Sequence, residues 1–117
     1  MSLTVKDMMK FILRHRGGRV FVNMSIPQIG YEIQQCLAHG FVLHTTDETG
    51  AMSGMVLALV DDEKQLIHVR ENLAMNITNL RVFARHVHDK WPDYEVVWEK
   101  HGRRKHHDTQ HFYKKFL

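Results

Sequence analysis

Met55 to Val60, read MVLALV, is the stretch that most constrains this chain. Six consecutive apolar residues leave no polar face. As a strand, the run must sit centrally and be covered on both sides. The turn-forming Asp61-Asp62-Glu63-Lys64 follows it directly. Phe41 to Thr45 before it and Gln65 to Glu71 after it read as flanking strands. In the latter, alternation puts Ile67 and Val69 on one face and Leu66, His68 and Arg70 on the other.

Helical spacing accounts for most of the remainder. Thr4 and Asp7 form a box-like cap ahead of Val5, Met8, Met9 and Ile12, and Gly17-Gly18 stops that helix. Arg19 to Asn23 is a short extended stretch. Ser25 and Pro27 start a second helix with Ile26, Ile29, Ile33 and Leu37 as its apolar stripe, ending at Gly40. Asn76 to Trp91 is a third, capped by Asn76 or Thr78, with Leu80, Phe83, Ala84, Val87 and Trp91 on its apolar face. Pro92 closes it. Tyr94 to Glu99 is a fourth strand, HGRRKHH a basic loop, and Asp108 or Thr109 caps a last short helix bearing Phe112 and Phe116.

The order is helix, helix, strand, strand, strand, helix, strand, helix. It predicts an α/β fold with a mixed sheet of about four to five strands, residues 65 to 99 forming a right-handed crossover between parallel strands. At 117 residues, 44% apolar and 25% charged, the chain is expected to be one globular domain, 1–117. No apolar run reaches the roughly 20 residues of a membrane span, and no signal-peptide pattern opens the chain. A single cysteine, Cys36, excludes an internal disulfide and a multi-thiolate zinc site, and suggests the cytoplasm. Beside Leu37, Cys36 reads as a small buried hydrophobe.

Charge is concentrated late. Lys100 to Lys115 holds six Lys or Arg, four His and one acid, Asp108. Arg81, Arg85 and His88 share one face of the third helix, and Arg103, Arg104 and Lys105 fill the loop. That ridge is suited to phosphates, without any base-reading module. No native metal is expected from the histidines. His86 and His88 point to different helix faces. His106, His107 and His111 are nearer to a workable set, since 107 and 111 share a helical face if the last helix starts early, but a zinc site needs three or four convergent ligands and a second shell. The PDYEVVWEK stretch has the wrong spacing for a nuclease carboxylate set.

The closing residues, Thr109-Gln110-His111-Phe112-Tyr113-Lys114-Lys115-Phe116-Leu117, add a small polar residue, an aromatic pair, a basic pair and an apolar pair after the fourth strand. With the element order over 26–117, this ending resembles the GNAT-type N-acetyltransferase fold, in a shortened form lacking the last two strands, as in small phage-encoded members. The resemblance implies acetyl-CoA in a cleft where the third and fourth strands of this chain splay apart. His68, Val69, Arg70 and Glu71 would flank the pantetheine, and Asn76, Ile77, Thr78, Asn79 and Arg81 the pyrophosphate. Tyr113 would be the acid for the leaving thiolate and Glu71 the base, with Glu99 and His101 as weaker alternatives. The family's glycine-rich phosphate loop is absent, since ENLAMNITNL contains no glycine.

Two functions follow. One is acyl-CoA-dependent N-acyl transfer to an amine. The other is a non-enzymatic, basic binding or phage structural protein that contacts nucleic acid or a partner through Arg81, Arg85, Arg103, Arg104 and Lys105. Loss of two terminal strands would bare a sheet edge, so a homodimer is expected.

Overall fold

The computed structural model describes residues 4–14, 24–73, 77–100, 103–106 and 109–117, the side chains of 99–106 excepted. The elements run α1 (Val5–Arg14), α2 (Ile26–His39), β1 (Gly40–Thr46), β2 (Met52–Asp61), β3 (Leu66–Leu73), α3 (Ile77–Lys90), β4 (Glu95–Lys100), β5 (Arg103–His106) and α4 (Thr109–Phe116). The fold is α/β. The five strands lie in the sheet in chain order. β1, β2 and β3 form an antiparallel meander, β3 and β4 are parallel, and β4 and β5 are antiparallel.

MVLALV is the core of β2 and is covered on both faces. Met55 and Leu57 pack with Met8, Phe11 and Ile12 of α1 and with Ile29, Ile33 and Cys36 of α2. Val56 and Ala58 pack with Ile67, Val69, Val96, the α3 residues Phe83, Ala84 and Val87, and the α4 residues Phe112 and Tyr113. A continuous apolar strand is therefore the middle of a three-layer sandwich.

The helix starts follow their local chemistry. Thr4 and Asp7 exchange hydrogen bonds, with the Asp7 N–H donating to Thr4 Oγ1 and the Thr4 N–H to Asp7 Oδ2. Ser25 and Gln28 do the same at α2, with Pro27 in the first turn. The buried stripe of α2 is Ile29, Ile33 and Cys36, while Ile26 and Leu37 face outward. The correction is one of phase: Leu37 sits one position past the i, i+4, i+7 line that Cys36 completes.

A larger correction concerns the stretch expected to be a basic loop. Arg103–His106 forms β5 and pairs with β4 from Val97↔His106 to Lys100↔Arg103. Its residues lack strand propensity, and β4 alone supplies the template. β5 is an edge strand whose sequence reads Arg-Arg-Lys-His. Two copies meeting along it would bring like charges together. β5 also carries the chain back along β4, so α4 begins beside the start of β4, where the Val96 N–H donates to Thr109 Oγ1 at 3.1 Å. The stretch 15–23, including Gly17-Gly18 and Arg19 to Asn23, lies outside the described residues. Among the described residues, no helix is long and apolar enough to cross a membrane.

Candidate functional site

The β3–β4 ladder is short. It runs from Leu66↔Glu95 to Val69↔Trp98 and ends there. β3 continues to Leu73 with β2 as its neighbour, and β4 continues to Lys100 with β5 as its neighbour. Each strand is held by a different partner beyond the last shared pair, so a wedge opens between them.

A bulge sits at the start of that wedge. Leu57 faces Glu71 and Ala58 faces Val69, which leaves Arg70 as the extra residue of β3. A bulge breaks the two-residue alternation and re-aims side chains. Ile67 and Val69 belong to the core under α3 and α4, whereas Leu73 belongs to the core under α1 and α2. Arg70 reaches Glu32 of α2, its Nε donating to Glu32 Oε1 at 2.8 Å and its Nη2 to the same oxygen. Glu71, opposite Leu57, lies on that same face and is 7% exposed. Glu71 Oε1 accepts the Asn72 N–H at 3.1 Å.

The first turns of α2 and the bulge enclose a groove of about 420 Å³, lined by Met24, Pro27, Gln28, Tyr31, Glu32 and Arg70. α2 leads into β1 at the far end of the sheet, so its N-terminal turns stand at the wedge end. The N-terminus of α3 stands at that end too, following β3. Ile77, Thr78 and Arg81 are exposed there. Asn79 is instead buried, at 5% exposure. Its side chain fills the space over Gly54 of β2, where a Cβ would come within 2.0 Å of Asn79 Nδ2. Asn79 thus fastens α3 to the sheet. Asn76, Glu99 and His101 fall outside the residues whose side chains are described.

The structure does not bring Tyr113 to this end. Its ring contacts the His88 ring, centroids 5.0 Å apart. His88 lies eleven residues beyond Ile77 (88 − 77), about 16 Å along the helix axis. Tyr113 belongs to the core on the α3/α4 face, opposite to Glu71. Its hydroxyl is buried without a hydrogen-bond partner among the described residues, and burial raises its pKa. Tyr113 would stand by the reacting sulfur only with α4 packed as in the GNAT-type fold; here β5 carries the start of α4 back to the start of β4.

His68 faces Leu59 across the β2–β3 ladder, and Val69 is core. Arg81 and Arg85 are exposed on α3. Among the described residues, no three His, Cys, Asp or Glu side chains converge as metal ligands. Burial pushes the Cys36 thiol up to about 12, with the nearby Glu32 charge adding to the rise, so it is no ready nucleophile.

Glu32 and Tyr31 were not singled out from sequence. A signal existed for Glu32: it lies three residues after Ile29 and four before Cys36, a carboxylate on the apolar stripe of its own helix. The bulge at Arg70 had no comparable signal. Comparison with protein-family models, with curated proteins and with solved structures finds no match.

Proposed function

We propose that the protein is an acyl-CoA-dependent N-acyltransferase-like protein of GNAT-like fold, with acetyl-CoA as the cofactor. The supporting observation is the parallel β3–β4 ladder that ends at Val69 and Trp98 beside the bulge at Arg70. An extended pantetheine chain enters the wedge alongside the end of β3, as an added strand would. The pyrophosphate lies toward the N-terminus of α3, whose dipole favours negative charge. Thr78 supplies a donor there and Arg81 a positive charge. Asn79, committed to packing, leaves the binding set.

The demanding proton is the one on the acceptor. An alkylammonium has a pKa of about 10.4, whereas a thiol has one of about 8.5. The ammonium must lose a proton before attack; the thiolate leaves without needing an acid. Glu71 takes that proton, directly or through water. Acetyl-CoA, when bound, would supply the acetyl group: a C–N bond would form as the C–S bond breaks, the nitrogen would release its second proton to solvent to give the neutral amide, and CoA would leave with the C–S electron pair as a thiolate that solvent protonates. In this reading Tyr113 gives up no proton.

Amide chemical shifts recorded on addition of acetyl-CoA test the reading. It expects changes centred on Asn72, Leu73, Ile77 and Thr78. Changes confined to α4, or none at all, would overturn it.

A second reading has its own observation: Arg81 and Arg85 are exposed on α3, and Arg103, Arg104 and Lys105 fall on an edge strand. This suits phosphate contact without sequence readout. Replacing the three β5 cations with alanine then reduces the salt dependence of nucleic-acid binding. An unchanged salt slope would remove that reading.

A further inference from the structure

The groove beside the bulge carries a chemical preference. Glu32 is 12% exposed, and both bonds from Arg70 go to its Oε1. Oε2 has no hydrogen-bond partner among the described residues, and Glu32 lines the groove. A largely enclosed carboxylate that lines a groove, with both bonds from Arg70 on only one of its oxygens, is matched by a cationic donor, in the stronger class of hydrogen bond.

We infer that this groove holds the ammonium group of an extended aliphatic primary amine, with Glu32 Oε2 as its acceptor. The inference takes the groove as the acceptor side of the transfer site proposed above and rests on that reading. The walls fit the rest of such a molecule. Met24 and Pro27 offer apolar surface to a methylene chain, and Tyr31, 63% exposed, offers a ring face to a cation. A groove of about 420 Å³ is sized for a small flexible molecule.

The test is a titration of the full chain with 1,5-diaminopentane, followed by amide chemical shifts, with pentan-1-ol and pentanoate as length-matched controls. The diamine is expected to move the amides of Gln28, Tyr31, Glu32 and Arg70, and the controls to leave them in place. Glu32→Gln keeps the shape of the side chain and is expected to weaken diamine binding at least fivefold. Tyr31→Ala, at an exposed position outside the ion pair, is expected to weaken it severalfold with the fold intact. Equal responses to pentanol or pentanoate, or undiminished binding in both variants, would overturn the inference. Acetyl-CoA added to the same samples separates the two failures. Diamine binding with no response to acetyl-CoA supports the groove and sinks acyl transfer. A response to acetyl-CoA with no diamine binding sinks the amine site alone.

Discussion

Glu71 and Tyr113 stand on opposite faces of the sheet. Glu71 shares its face with Leu57 and α2, while Tyr113 packs between α3 and α4 with its ring against His88. Two residues that sequence resemblance would join as base and acid are separated by the sheet itself. The groove lined by Glu32 and Arg70 is on Glu71's side of this division.

Their substitutions should therefore diverge. Glu71→Gln is expected to lower acetyl transfer to an amine by about 100-fold or more, within the range of general-base contributions. Tyr113→Phe is expected to leave turnover near that of the wild type, and removing a buried hydroxyl that has no hydrogen-bond partner among the described residues should not reduce stability. Steady-state rates and urea midpoints for both variants check this; a large rate loss in Tyr113→Phe would return the tyrosine to the reaction.

Phe83 is the hub of the α3/α4 face. It is fully buried, with ring centroids 5.5 Å from Trp98 and 6.0 Å from Phe112. Phe83→Ala should cost about 3–5 kcal/mol through lost burial and a residual cavity. Urea denaturation is the measurement, with the midpoint falling and the slope unchanged.

His86 makes stability sensitive to acid. It sits by Phe41 and Trp91, and its Nε2 is buried without a hydrogen-bond partner among the described residues. Burial, then the charge of Lys90, lowers its pKa below the ordinary 6.5, while Asp89 opposes the shift. A depressed folded pKa means that the unfolded chain takes up the proton first. The contribution is present above pH 6.5 and is lost as pH falls through the folded value. His86→Phe should thus flatten the decline in urea midpoint between pH 7 and pH 5 relative to the wild type. Parallel declines would refute this.

Cys36 should resist modification in the folded protein. It is fully buried on α2, and its thiol is pushed up to about 12. At pH 8 a thiol reagent is expected to react only as the chain unfolds, at a rate that follows urea concentration. A raised folded pKa also predicts stability that is fully present below the unfolded value of about 9.0 and declines as pH rises above it. Rapid labelling without denaturant would contradict the burial.

The layers were legible in the sequence because each depends on local pattern. MVLALV demanded two covered faces, and Ser25-x-x-Gln28 marked a helix start that forms a complete capping box. Phe83, Ala84 and Val87 fell on the core side of their helix as spacing required. The parallel pairing of β3 and β4 followed from the intervening helix. β5 was not legible, because Arg103–His106 becomes a strand through pairing rather than propensity. That one strand moved α4 to the other end of β4 and took Tyr113 away from Glu71. The bulge was equally hidden: nothing in IHVRENL shows that Arg70 and Glu71 share a face. Only the register against Leu57 and Ala58 reveals it.

The central claim is that the wedge between β3 and β4 receives an acyl-CoA. Isothermal titration of the protein with acetyl-CoA, at two salt concentrations, tests it most directly. The account predicts one site per chain with a micromolar Kd that weakens as salt rises, since phosphate charge contributes to binding. No heat and no thermal stabilisation at millimolar acetyl-CoA would contradict it.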